Sequence, residues 1–157
     1  MLRQCSPKSL YSRYERVIDG PLDDLASELC CPDDRFEMTV VAELSEGGPC
    51  ALIGVAQVLA DPTRDTAEYA VLVADRWQNL GLGSALTDHC LTRANDWGLR
   101  RVIAEFLPSN MRMIRILETR AFDLQRDRQE HVVSGQKILT DVPRETDRSG
   151  AVAADVE

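Results

Sequence analysis

The chain has 157 residues, about one domain's worth, enough to bury roughly 68–70% of its unfolded surface without disulfide or metal staples. Its 18 basic and 26 acidic residues give a net charge of −8, which argues against broad nucleic-acid or anionic-membrane binding, since both need a basic face. An apolar fraction of 44% and a charged fraction of 28% describe an ordinary globular protein, not a disordered or membrane-embedded one.

The longest apolar stretch, Pro49 to Ala60, is too short to span a bilayer and is broken by Gly54 and Gln57. Met1 to Cys5 carries no apolar h-region, so no signal peptide is expected. Five cysteines, including the adjacent Cys30-Cys31, then read as reduced cytoplasmic thiols.

Ser6-Pro7 is a helix start, an N-cap followed by proline at the first helical position. Leu10, Tyr14, Val17 and Ile18 share a face, and Gly20 is the expected stop. Pro21 opens a second short helix with Leu22, Leu25, Ala26 and Leu29 inward, ended by Pro32-Asp33-Asp34. The period then changes to two. Phe36, Met38, Val40, Ala42 and Leu44 alternate with mostly polar neighbours, as in a half-buried strand. After a turn at 45–49, a more apolar strand runs from Cys50 to Ala60, and a third from Ala67 to Ala74 follows the turn at 61–65. Short turns between strands imply an antiparallel meander.

From Gly81 the period is again helical, with Leu82, Leu86, Cys90, Ala94 and Trp97 on one face and Gly98 placed for a left-handed C-terminal residue. Arg101 to Leu107 reads as a strand, Met111 to Arg120 as a helix, and 121–127 with 132–140 as a closing strand pair. The strand–helix–strand unit from Ala67 to Leu107 must make its strands parallel through a right-handed crossover. The fold class is therefore α+β: a mixed sheet in which an antiparallel meander passes into one parallel pair. Residues 1–140 form the expected domain. The stretch 141–157, with five acids against two arginines and no periodicity, is expected to be a disordered tail. No internal repeat or second domain is visible.

The informative segment is Gln78-Asn79-Leu80-Gly81-Leu82-Gly83-Ser84, between a strand and a helix. Glycines at 81 and 83 permit positive φ and close ligand approach. Successive N–H groups at a helix N-terminus make an anion site that needs no lysine, so a phosphate or pyrophosphate is implied. A Walker loop would need Gly-Lys-Ser/Thr where Gly83-Ser84-Ala85 stands, and a dinucleotide fingerprint would need a third glycine where Leu86 stands. Both fail.

Gln-x-x-Gly-x-Gly after an antiparallel strand resembles the pyrophosphate signature of the GNAT superfamily of acetyl-CoA-dependent N-acetyltransferases. Ala67-Glu68 upstream, Asn110 after the second parallel strand and Phe122 twelve residues later agree with that pattern. The resemblance spans about Phe36 to Thr140. Ser9-Leu10-Tyr11-Ser12-Arg13-Tyr14, Ala67 to Val73, Asp75-Arg76-Trp77-Gln78 and Asn110 to Met113 are similar to one branch, the GNAT domain of bacterial protein-lysine acetyltransferases (Pat-like). Three departures stand out. The family's first strand is missing or replaced, Ala121 stands for the closing glycine, and Leu117 occupies the position of a tyrosine that protonates the leaving thiolate.

The resemblance implies helices on both faces of the sheet, acetyl-CoA as co-substrate, no metal, and direct transfer to an amine acceptor, with a protein lysine first and a small-molecule amine next. Glu68 is the implied general base. Val71, Leu72 and Val73 are implied to run beside the pantetheine arm, with a backbone N–H near Leu72 or Val73 facing the charge that develops on the acyl oxygen. Gln78, Asn79, Leu80, Gly81, Leu82, Gly83 and Ser84 are implied to bind the pyrophosphate, and Asn110 to touch the arm.

Plainer roles compete for the same residues. Glu68 reads equally as a solvated strand-end acid, Glu105 is an alternative base, and Asn110 fits an N-cap worth about 1 kcal/mol. Arg76, Arg112 and Arg115 could reach a phosphate or simply be solvated. His89 and Cys90 have no partner at metal spacing, Trp77 and Trp97 read as packing, and Cys30-Cys31 as inert. Two functions other than the enzyme follow from the departures: a non-catalytic acyl-CoA-binding or sensing module, and an interaction protein with an empty groove. Nucleic acid and membrane are not expected partners, and the oligomeric state, a dimer included, is left open.

Overall fold

The computed structural model describes residues 1–31, 33–45 and 50–139. A 3-10 turn at Leu2–Gln4 leads into helix α1 (Pro7–Tyr14) and helix α2 (Leu22–Cys30). Strands β1 (Glu37–Leu44), β2 (Ala51–Ala60) and β3 (Thr66–Val73) follow, then helix α3 (Leu82–Asp96), strand β4 (Arg101–Phe106) and helix α4 (Met111–Glu118). Strands β5 (Asp123–Asp127) and β6 (Val132–Ile138) close the chain. The tail expected at 141–157 lies outside the described residues.

The six strands form one sheet in the order β1-β2-β3-β4-β6-β5. Every neighbouring pair is antiparallel except β3 and β4, as the crossover through α3 requires. Among the described residues no strand precedes α1, and β1 is an edge of the sheet.

Alternation along the strands assigns the two faces. Ala56, Val58, Tyr69 and Val73 pack with Leu86, Cys90 and Ala94 of α3 and with Met113, Ile114 and Leu117 of α4. Val55 and Leu72, one residue out of phase, pack against Leu10 and Leu25 of α1 and α2. The central strand β2 is therefore covered on both sides, and Ile53 to Val58 are buried without a break, which is why its sequence is more apolar than that of the alternating β1. Among the described residues no helix is long and apolar enough to cross a membrane.

Two boundaries differ from the expected ones for local reasons. Helix α1 starts as expected, with Ser6 Oγ accepting from the Ser9 amide at 3.3 Å. It ends at Tyr14 rather than near Gly20, because Glu15 turns left-handed at φ 53°. Val17 consequently stands 74% exposed rather than on the helix's apolar face. Helix α4 ends at Glu118, two residues early, and Ala121 adopts φ 55° in the turn to β5. Ala121, in the place of the family's closing glycine, thus holds a conformation that glycine would adopt at lower cost.

Candidate active site

The parallel pair supplies the geometry on which the site depends. Strands β3 and β4 are paired only at Thr66/Arg101, Ala67/Val102 and Glu68/Ile103. Beyond that point β3 runs on to Val73 and β4 to Phe106 unpaired with each other. The Ala74 amide donates to Ile53 O of β2 at 2.9 Å, so by alternation the backbone groups of Leu72 face β2 while those of Val71 and Val73 face the gap. Of the two candidates for the backbone donor, Leu72 and Val73, only Val73 turns its N–H into the opening.

A groove of about 760 Å³ occupies this opening. It is lined by Val71, Leu72 and Val73 of β3, by Gln78, Asn79, Gly81, Gly83 and Ser84 at the start of α3, and by Asn110. Helix α1 and its cap add Ser6, Lys8, Ser9, Ser12 and Arg13, and α4 adds Arg112, Arg115 and Ile116. Nine of the twelve expected site residues therefore meet in one cavity. Leu80, Leu82 and Glu68 do not line it. Leu80 points to solvent at 68% exposure, and Leu82 packs on the core under α3.

The α3 N-terminus opens on the groove without a side-chain cap. Gly81 is the N-cap at φ 86°, and no side chain caps the helix there, so its first amides have no intrahelical acceptor. Gly83 is an ordinary helical residue without positive φ, contrary to the expectation. A Cβ there would stand 3.3 Å from Ile116 Cδ1 and 3.9 Å from Val73 Cγ2. The second left-handed residue of the turn is Asn79, at φ 62°.

Gln78 does something the sequence did not suggest. The two N–H bonds of its Nε2 are shared among Val73 O at 2.8 Å, Ser9 Oγ at 3.0 Å and Asp75 Oδ1 at 3.2 Å, and its Oε1 accepts from Arg112 Nη1. Ser9 Oγ donates to Asp75 Oδ1 at 2.7 Å. The Gln78 side chain ties the end of β3 to α1 and α4, while the residue still lines the groove. Burial alone would raise the Asp75 carboxyl. Hydrogen bonds from the Ser9 and Ser6 hydroxyls and the Ser6 amide, with the Arg112 charge, outweigh it and hold the carboxyl below its usual range.

Asn110 caps α4, its Oδ1 accepting from the Met113 amide at 3.2 Å, which leaves its amino group for a ligand in the groove. Cap and lining position coexist in one residue. Glu68 is exposed on β3 between Leu59 and Ile103, on the α1 side of the sheet and in the last pair before β3 and β4 separate. Glu105 is exposed on β4 opposite Ser134. Leu117 is fully buried and brings no hydroxyl. The nearby Tyr69 does not replace it, since its buried hydroxyl is 2.8 Å from Thr87 Oγ1 and desolvation raises its pKa well above that of a free tyrosine. Arg76 stacks over Trp77, 5.6 Å from the ring centroid. Among the described residues no group of three or more His, Cys, Asp or Glu could hold a metal ion.

Comparison with known proteins agrees with this geometry. The model of the acetyltransferase (GNAT) family matches residues 8–122. The chain belongs to that family. Acetyltransferase PA5475 of Pseudomonas aeruginosa is 27% identical to it over 126 residues, 80% of this chain and 68% of that protein. The GNAT domain of S. lividans PAT superposes with a TM-score of 0.74 at 27% identity, covering 87% of this chain and 80% of that one. YncA of Salmonella typhimurium, solved with its cofactor acetyl-CoA, shares the fold at a TM-score of 0.71 and 18% identity, covering 86% of each chain.

The chain is thus a GNAT acetyltransferase, and acetyl-CoA is the acyl donor that goes with that membership. The residues present fit such a donor. An uncapped helix N-terminus stands at one end of the groove, and unpaired strand backbone runs along its floor.

Proposed function

We propose that this acetyltransferase moves an acetyl group from acetyl-CoA directly to a protein lysine in the cytoplasm, with Glu68 as the base. The observation that carries the reading is the early end of the β3–β4 pairing at Glu68/Ile103. It leaves the Val71 backbone groups and the Val73 N–H to pair with an extended arm as an added strand would, the Val73 carbonyl being held by Gln78. The amides from Leu80 to Ser84 would take the diphosphate, Asn110 the arm, and Arg112, Arg115 and Lys8 stand within the same groove. The likeness of residues 9–14, 67–73, 75–78 and 110–113 to protein-lysine acetyltransferases supports lysine as the acceptor.

Bound in the groove, acetyl-CoA supplies an acyl carbon activated as a thioester. The protein's remaining task is the amine. A lysine with pKa about 10.4 needs roughly 4–5 kcal/mol to lose its proton at pH 7, and a carboxylate directly or through water can take that proton. Glu68 lies where β3 and β4 begin to part, on the α1 side of the sheet. The Val73 N–H, facing the gap, would stabilise negative charge developing on the acyl oxygen.

The test is free-thiol release from acetyl-CoA across a panel of lysine peptides and small amines, with calorimetry for donor binding. Glu68→Gln should lower kcat/KM at pH 7 by about a hundredfold or more while keeping donor affinity. Full turnover in that variant would remove Glu68 from the chemistry. The buried Leu117, which provides no hydroxyl for the leaving thiolate, favours a second reading, a non-catalytic acyl-CoA-binding module. Tight donor binding with no thiol release on any acceptor would establish it.

A further inference from the structure

Resting on that reading, we propose that Arg13 is a specificity-determining residue that binds a carboxylate on the acceptor, an acidic side chain close to the acetylated lysine. Arg13 lines the groove, and its Nη2 donates to Gln57 Oε1 at 2.9 Å. Gln57 is 9% exposed, an uncharged acceptor held at a near-buried position of β2. The guanidinium also lies over the Tyr14 ring, 4.9 Å from its centroid. Among the described residues Arg3, Arg35, Arg93, Arg100, Arg101 and Arg120 each have a carboxylate within 4 Å. Arg13 has none, as is also true of exposed arginines such as Arg76 and Arg128, but it is the described arginine whose charge burial disfavours. A partly desolvated cation with a neutral partner and spare donors is costly to keep and well suited to a carboxylate.

Its place in the groove says which molecule brings that carboxylate. Ser9, one helical turn earlier and about 6 Å back along α1, bonds to Asp75 and Gln78 at the end assigned to the diphosphate. Gln57 pairs with Ala70, immediately before the first β3 residue that lines the groove. Arg13 therefore stands at the opposite end, where the acyl group and the amine would meet. Glu68 lies two residues from Ala70 on the same face of the sheet, and its charge is felt at Arg13 although the two form no ion pair within 4 Å. An acceptor with its amine toward Glu68 and a carboxylate toward Arg13 would satisfy both. With a net charge of −8, the protein as a whole repels acidic partners, so a preference for one must come from a local cation.

The experiment compares thiol release on peptides with one lysine and a single Glu, or Gln in its place, at each position from −2 to +2, and on free α-amino acids. At one position the wild type should favour Glu over Gln by about tenfold in kcat/KM. Arg13→Gln should bring that ratio to about one, and Arg13→Lys should keep part of it, with thermal melts showing both variants folded. Equal rates for Glu and Gln peptides at every position in the wild type overturn the proposal and leave lysine transfer standing. That comparison needs no variant, so it holds even if Arg13→Gln does not fold. A preference that survives Arg13→Gln also overturns it. Turnover of free amino acids alone, lost in Arg13→Gln, keeps the carboxylate site and moves its source from a side chain to a small molecule, which refutes lysine as the acceptor. No release on any substrate overturns both.

Discussion

Replacing Gln78 with methionine keeps the length and most of the volume of the side chain but removes the amide that joins β3 to α1 and α4. Two N–H donors shared among Val73 O, Ser9 Oγ and Asp75 Oδ1 are lost, together with the acceptor for Arg112. A neutral hydrogen bond contributes about 1 kcal/mol, and the partners here are in part solvated, so the expected loss is about 2–3 kcal/mol. For a domain of this size that is a fall in Tm of roughly 4–12 °C. Because the Val73 carbonyl then loses its anchor, the β3 backbone facing the groove is no longer preorganised. Acetyl-CoA Kd by calorimetry should rise by about ten- to a hundredfold, with kcat at saturating donor changing by less than about threefold. Melting and binding should move together. A raised Kd with an unchanged Tm would mean that the amide grips phosphate rather than the strand, and a lowered Tm with wild-type Kd would mean that it is a staple with no bearing on the groove. Either result refutes the reasoning.

At Gly83 an alanine Cβ meets only the flexible end of Ile116 at 3.3 Å, so Gly83→Ala should bind acetyl-CoA within about threefold of wild type, whereas the extra methyls of Gly83→Val must turn into the groove and cost about tenfold or more in calorimetric Kd. Ala121 is exposed and left-handed at φ 55°, so Ala121→Gly relieves backbone strain without losing buried surface. A gain of about 0.5–1 kcal/mol, seen as a Tm higher by about 1–4 °C, is expected. The Asp75 carboxyl is held below its usual range, so its contribution to stability is present above the unfolded value near pH 4 and is lost as the pH falls through the folded value. The Tm advantage of wild type over Asp75→Asn should be constant from pH 7 to about 5 and shrink toward pH 3. An advantage that grows on acidification would reverse the sign of the argument.

What the sequence makes legible here is what is encoded within a few residues. Ser6-Pro7 opens α1 because both the cap and the fixed φ act within one turn. Gly81 and Gly98 take φ of 86° and 81° where a helix begins and where one has just ended, so glycine spacing located the turn that opens α3 without any tertiary information. The end of α1 was not legible, because the left-handed residue is Glu15 and not a glycine. The roles that mattered most at the groove were invisible for a different reason. Gln78 meets Ser9 across 69 positions of chain, and Arg13 meets Gln57 across 44, and no periodic signal records such a pairing. Only the sheet order makes these contacts, by laying α1 across the opening between β3 and β4. That same placement makes the Gln78 side chain an anchor for the end of β3. It also carries an arginine that looked like part of an ordinary amphipathic helix to the end of the groove where an acceptor would enter. Local pattern locates the loop proposed to take the donor, while the proposed choice of acceptor rests on residues that the fold alone brings together.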